Sequence, residues 1–183
     1  MKISVITTTF NAAGTLRDCL ESVKGQVYQD IEHIVIDGAS TDRTLEILDE
    51  YKEILASVVS ESDAGIYDAL NKGIKMATGD VIGILHGDDL YASAGILGKV
   101  SSIFSDPNVG ACYGDLIYFK DADGHMAQGT GPKVKKRLKY VFSLRLEPCA
   151  FSLIFYLYSP DIFSILTDCS VGGKFPHAGD VEY

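Results

Sequence analysis

The chain has 183 residues, enough for one domain, and a chain of that size buries about 70% of its unfolded surface, so its core requires no disulfide or structural metal. Sixteen Lys and Arg against 25 Asp and Glu leave a net charge of −9, which excludes the basic face of a nucleic-acid protein but leaves phosphorylated ligands open, since a metal inverts the local sign. Cys19, Cys112, Cys149 and Cys169 show no ligand or redox spacing, no stretch offers the ~20 apolar residues of a membrane span, and Met1-Lys2 runs straight into Ile3-Ser4-Val5-Ile6 rather than a signal peptide, which points to the cytoplasm.

Residues 3–8 are β-branched and apolar and predict a buried strand. Phe10-Asn11-Ala12-Ala13-Gly14 is a turn, after which Leu16, Leu20, Val23 and Val27 recur at helical spacing. A second strand over 31–36 ends in Asp37-Gly38-Ala39-Ser40-Thr41-Asp42, a loop rich in turn and cap residues. Leu45, Leu48, Tyr51 and Ile54 predict a second helix, 56–60 a third strand, and Ile66, Leu70, Gly73, Ile74 and Ala77 a third helix. The apolar run 81–85 is a fourth strand that stops at His86-Gly87-Asp88-Asp89. Ile96, Leu97, Val100, Ile103 and Phe104 predict a fourth helix. Residues 109–120 predict a strand interrupted at Gly114-Asp115, and Asp121-Ala122-Asp123-Gly124 a hairpin turn. The basic run 133–139 fits a solvated helix face, an anionic acceptor or an anionic membrane surface.

Strands alternating with helices imply a mostly parallel sheet covered on both faces. Crossovers are right-handed, so the loops that follow the strands gather on one sheet edge, where open α/β sheets bind ligands. That edge receives Asp37, Asp63, Asp88 and Asp89. It carries no G-x-G-x-x-G after the first strand, and the chain has no G-x-x-x-x-G-K-[ST], so neither a dinucleotide dehydrogenase nor a P-loop enzyme is indicated. Adjacent carboxylates repel and call for a cation or a shared proton. Asp88-Asp89 therefore suits either a hard divalent ion or, more simply, a helix cap. Carboxylates that accept from base or ribose, beside a metal that bridges a diphosphate, form the profile of a nucleotide-sugar site.

Five segments in order then resemble the family 2 glycosyltransferases of the GT-A fold: Val5-Ile6-Thr7-Thr8-Thr9-Phe10-Asn11, Val35-Ile36-Asp37-Gly38-Ala39-Ser40-Thr41-Asp42, the stretch from Ser62 to Gly73, Ala77-Thr78-Gly79-Asp80, and Gly87-Asp88-Asp89-Leu90-Tyr91. The resemblance is to the type that builds bacterial surface polysaccharides. It implies an α/β, Rossmann-like, mostly parallel sheet flanked by helices, a single domain with a small mixed C-terminal part. Residues 1–120 would form the nucleotide-sugar-binding half and 121–183 the acceptor side, truncated or divergent. By the same resemblance Thr8 and Phe10 line the base pocket, Asp37 accepts from the base, and Asp63, Tyr67, Asn71 and Lys72 lie under ribose and diphosphate. Asp88 contacts the nucleotide, and Asp88 and Asp89 hold Mn²⁺ or Mg²⁺.

The sequence departs from the family pattern at His86, where an acid is common, and at Glu147-Pro148, where relatives carry His-Pro. Asp180 stands in Ala178-Gly179-Asp180-Val181-Glu182-Tyr183 where the family places its catalytic base. The implied enzyme is a metal-assisted inverting glycosyltransferase that moves a sugar from a nucleotide-sugar donor, a UDP-sugar first, to a saccharide or lipid-linked acceptor. A peripheral contact with the inner membrane face suits the basic run and the apolar segment 151–166, and no nucleic acid is involved. The alternative is a non-catalytic nucleotide-sugar-binding module. A sugar nucleotidyltransferase shares the sheet plan but opens with a Gly-rich basic loop that Thr8-Thr9-Phe10-Asn11 is not.

Overall fold

The computed structural model describes residues 1–106, 109, 111–113, 115–119, 137–141 and 154–157, with the strands beyond residue 113 described by their backbone pairing. Asp180, the 121–124 turn and Lys133–Lys136 of the basic run lie outside the described residues. β1 (Ile3–Thr9), β2 (Ile31–Asp37), β3 (Ser57–Ser60) and β4 (Val81–Ile84) pair in parallel in the order β3-β2-β1-β4. Every residue of β1 is buried, and of β2 all but Ile31, as a strand covered on both faces requires.

The helices α1 (Leu16–Lys24), α2 (Thr44–Glu50), α3 (Ile66–Met76) and α4 (Ile96–Ile103) supply that cover. Strand alternation sorts the core. Ile3 and Val5 of β1 pack with Cys19 and Val23 of α1 and with Val100 of α4. Ile6 packs on the opposite face with Ile74 of α3. Gly73 makes that second contact possible, because a Cβ there would collide with Ile6 Cγ2.

The remaining strands are β5 (Asp89–Tyr91), β6 (Ala111–Tyr113), β7 (Asp115–Phe119), β8 (Arg137–Val141) and β9 (Ile154–Leu157). β9 inserts antiparallel between β4 and β6 and completes a six-stranded sheet, β3-β2-β1-β4-β9-β6. β5, β8 and β7 form a second, mixed sheet.

Four expectations need correction. The strand expected over 109–120 with an interruption at Gly114-Asp115 is two strands in two different sheets, β6 ending at Tyr113 and β7 beginning at Asp115. The end of the basic run is strand β8, not a helix face. α2 buries Thr44, Ile47 and Leu48 and leaves Leu45 exposed, and it stops before Tyr51 and Ile54. Val27 lies beyond α1 and is 72% exposed. For α2 and Val27 a few apolar residues were open to two spacings, and tertiary packing chose between them. Among the described residues, no helix is long and apolar enough to cross a membrane.

Candidate functional site

The C-terminal ends of β1, β2, β3 and β4 lie on one edge, and backbone hydrogen bonds carry the pairing into the loops. Gly38 N–H donates to Thr9 O at 2.9 Å, Glu61 N–H to Asp37 O at 3.0 Å, and Gly87 N–H to Thr8 O at 2.9 Å. The loops after β1 and β2 are also tied to each other: Asn11 N–H donates to Ser40 Oγ at 2.8 Å, and Thr41 N–H to Asn11 Oδ1 at 2.9 Å. Asn11 and Ala39 both adopt positive φ, 49° and 61°. For Ala39 that is a left-handed conformation costing on the order of 1 kcal/mol.

Gly38 is the floor of this edge. A Cβ there would sit 2.9 Å from Asp63 Oδ2 and 3.4 Å from Phe10 Cδ2, so a ring and a carboxylate meet over one bare backbone position. The Phe10 ring is 64% exposed, which is not how a core aromatic sits. Asp63 Oδ1 accepts from Gly65 N–H at 2.8 Å and so turns the loop into α3. Tyr67, in the first turn of α3, is 61% exposed.

Asp37 behaves differently. It has no exposed surface, and its carboxylate accepts from Ser40 N–H at 2.9 Å, Ser60 Oγ at 2.7 Å and Ser40 Oγ. Those bonds shape the turn after β2, and the helix that follows begins only at Thr44, so Asp37 is not its cap. Lys72 is likewise engaged. Its ammonium pairs with Glu61 at 2.9 Å and Asp68 at 3.2 Å and donates to Ser62 O at 3.3 Å. The hydrogen bond that it donates to Glu61 leads the upward shift of its pKa. Lys72 thus fastens α3 to the loop that carries Asp63. Asn71 is half-buried beside it.

The adjacent carboxylates after β4 are not equivalent. Asp88 is exposed at a turn; Asp89 is 3% exposed and begins β5. Neither caps α4, which starts seven residues later, at Ile96. His86 stands half-buried before them, and its Nδ1 lies 2.7 Å from Thr8 Oγ1. Burial pushes the His86 pKa down against an opposing pull from Asp88, so the ring is neutral near pH 7. Thr8 is 6% exposed, its hydroxyl paired with the His86 ring.

Among the described residues, no three His, Cys, Asp or Glu side chains gather as metal ligands. One exposed carboxylate at a sheet edge suits a divalent ion that completes its shell with waters and substrate phosphates, as Mg²⁺ and Mn²⁺ do. The donor set therefore fits a metal shared with a diphosphate and does not fit a resident structural ion.

The spacing of apolar residues did not expose a set of polar side chains behind the turn, Thr15, Cys19, Ser22 and Gln26. Their four-, three- and four-residue intervals were the signal available in the sequence.

Comparison with known proteins agrees with this geometry. The sequence model of glycosyl transferase family 2 matches residues 4–163. A PGL/p-HBAD biosynthesis glycosyltransferase of Mycobacterium tuberculosis is 35% identical over 118 residues, 62% of this chain and 46% of that protein. An uncharacterised glycosyltransferase of Nostoc sp. is 30% identical over 145 residues, 77% of this chain and 45% of its own. The chain thus spans about half the length of these curated relatives. Among solved structures, the mannosyltransferase PcManGT from Pyrobaculum calidifontis, in complex with GDP-Man and Mn²⁺, superposes with a TM-score of 0.59 at 30% identity, over 62% of this chain and 35% of that one. Staphylococcus aureus TarS 1–349 in complex with UDP-GlcNAc gives 0.56 at 26% identity, over 61% and 33%. The fold is that of the GT-A glycosyltransferases.

Proposed function

The chain belongs to glycosyl transferase family 2, and from that premise we propose that its sheet edge binds a nucleoside diphosphate sugar and passes the sugar to a saccharide or lipid-linked acceptor. The observation that carries this reading is the meeting of Phe10 and Asp63 over Gly38, on the edge where Asp88 is exposed. Phe10 offers a ring face to the base. Asp63 Oδ2 accepts from base or ribose, and Asp37 holds the turn that sets both. Tyr67 and Asn71 line the ribose and diphosphate side, where Lys72 acts through the loop it fastens.

Asp88 would hold Mn²⁺ or Mg²⁺ against the diphosphate, with Asp89 behind it at the start of β5. Such an ion neutralises charge that builds on the leaving nucleoside diphosphate. Neutral His86, anchored by Thr8, leaves the exposed Asp88 as the carboxylate that meets the diphosphate side. Asp180 is assigned the general base that takes the proton from the acceptor hydroxyl. One base suffices for single displacement with inversion at the anomeric carbon. The mannosyltransferase complex with GDP-Man and Mn²⁺ and the TarS complex with UDP-GlcNAc support the donor class and leave the base of the nucleotide as an arm of the test. A role in bacterial surface glycoconjugates, at the cytoplasmic membrane face, follows the resemblance and the PGL/p-HBAD relative.

Calorimetry with UDP, GDP and dTDP, each with and without Mn²⁺, tests the site. Binding of one of them, tightened by Mn²⁺ and weakened at least tenfold by Asp88→Ala, a loss of about 1.4 kcal/mol, is the expected result. No binding of any of the three sinks the reading. Slow donor hydrolysis abolished by Asp88→Ala supports turnover, and Mn²⁺-dependent binding without hydrolysis or transfer identifies a binding module.

A further inference from the structure

Thr15, Cys19, Ser22 and Gln26 run along α1 and its two flanks at intervals of one helical turn, so they share a face. All four reach the same segment, the one that begins at the Asp88 turn. Thr15 Oγ1 donates to Gly87 O at 2.9 Å, and Cys19 Sγ donates to His86 O at 3.4 Å. Ser22 Oγ accepts from Tyr91 N–H at 3.1 Å. Gln26 Nε2 donates to Ser93 O at 2.8 Å, and its Oε1 accepts from Leu97 N–H at 3.0 Å. Two consecutive carbonyls, those of His86 and Gly87, are thus held by side chains one turn apart on one helix.

Gly87 is fixed from the sheet side as well. Its N–H donates to Thr8 O at 2.9 Å. A Cβ at that position would meet Thr9 Oγ1 at 2.9 Å and Thr9 Cβ at 3.1 Å. The peptide that leads into Asp88 is therefore clamped between β1 and α1, while the Asp88 side chain is left exposed.

We propose that the N-terminal end of this stripe positions the Asp88 carboxylate and that Thr15 is its positioning residue for the metal–diphosphate subsite. The inference rests on the reading of Asp88 as the holder of the metal. Thr15 grips the carbonyl immediately before Asp88, so the turn is ordered before any ligand arrives. Without that bond the cost of ordering the turn falls on metal binding and weakens it. Gln26, at the far end of the stripe, holds the segment near α4 and serves stability.

The test is calorimetry with UDP, in EDTA and with Mn²⁺, on the wild-type chain, Thr15→Val, Thr15→Ser and Gln26→Leu, with thermal melting of each. Thr15→Val is expected to cut the Mn²⁺-dependent gain in UDP affinity about fivefold, the weight of one intramolecular hydrogen bond. Its metal-free affinity stays unchanged, and Thr15→Ser restores the gain. Gln26→Leu lowers the melting temperature and keeps the gain. Thr15→Ala gives the same comparison should the valine variant unfold. A hydroxyl-free variant with the full wild-type gain overturns the role of Thr15, as does one whose metal-free affinity falls by the same factor. A wild-type chain that binds UDP with no Mn²⁺ gain overturns the metal reading and this role with it.

Discussion

Asp37 and Asp63 both belong to the candidate site, yet they do opposite work. The Asp37 carboxylate is fully buried and receives a backbone N–H and two hydroxyls. Replacing it with Asn puts an NH₂ group where those donors point, which costs about 1–3 kcal/mol for a buried group left unpaired. Asp63 Oδ2 lies over Gly38, and its Oδ1 bond to Gly65 N–H survives in an amide. Asp37→Asn is thus expected to lower the urea midpoint, while Asp63→Asn keeps the midpoint and weakens nucleotide binding. Equal midpoints for the two variants would refute the division. This distinction was not legible in the sequence, where both are acids after a strand. Nor was the one between Asp88 and Asp89: it depends on β5 beginning at Asp89, and a three-residue strand leaves no periodicity to read.

At the scale of the element, β2 carries two neighbouring ionisable side chains on opposite faces. His33 is 2% exposed, its Nε2 lies 2.9 Å from Thr7 Oγ1, and burial pushes its pKa down to about 4. Burial would raise the pKa of Glu32, but the Lys2 ammonium and the hydroxyls of Ser4 and Thr78 overcome it and hold it at about 2. Both folded values lie below the unfolded ones, so in both windows the unfolded chain binds more protons. Stability is full above each unfolded pKa and is lost as pH falls, between 6.5 and about 4 for His33 and between 4.5 and about 2 for Glu32. A single such histidine contributes a slope of at most ~1.4 kcal/mol per pH unit. Urea midpoints at pH 7 and pH 5 are expected to fall for the wild-type chain and to fall less for His33→Gln. Parallel declines would sink the assignment to His33. The strand itself was legible because Ile31, Ile34, Val35 and Ile36 make a short β-branched stretch that ends at a turn-rich loop, too short for a helix. α2 was legible as a helix but its buried face was not, since Leu45 and Leu48 fit one face and Ile47 and Leu48 another, and only packing on Leu16 and Leu20 decides.

Across the whole molecule, both sheets are closed by strands from late in the chain. β9 lies between β4 and β6, and β8 between β5 and β7. Periodicity could supply β1 to β4 and their shared edge, because consecutive parallel strands follow from local pattern and crossover handedness. It could not supply the insertion of β9 beside β4, a pairing of Val81 with Leu157 that joins residues far apart in sequence. The division expected near residue 120 therefore cuts through both sheets. A fragment ending at Lys120 would bare the β4 edge along Val81–Ile84, an apolar strand whose unpaired backbone invites association. β5, β6 and β7 would each lose their neighbour. Asp88 sits between β4 and β5, at the junction of the two sheets. The fragment is expected to elute as aggregate, to lose a cooperative thermal transition and to bind UDP without any Mn²⁺ gain, although it retains Phe10, Asp63 and Asp88. Size-exclusion chromatography, circular dichroism melting and calorimetry measure the three. A monomeric fragment that melts like the whole chain and keeps the Mn²⁺ gain would show that the nucleotide half stands without β8 and β9, and the dependence of the Asp88 turn on the later strands would fall.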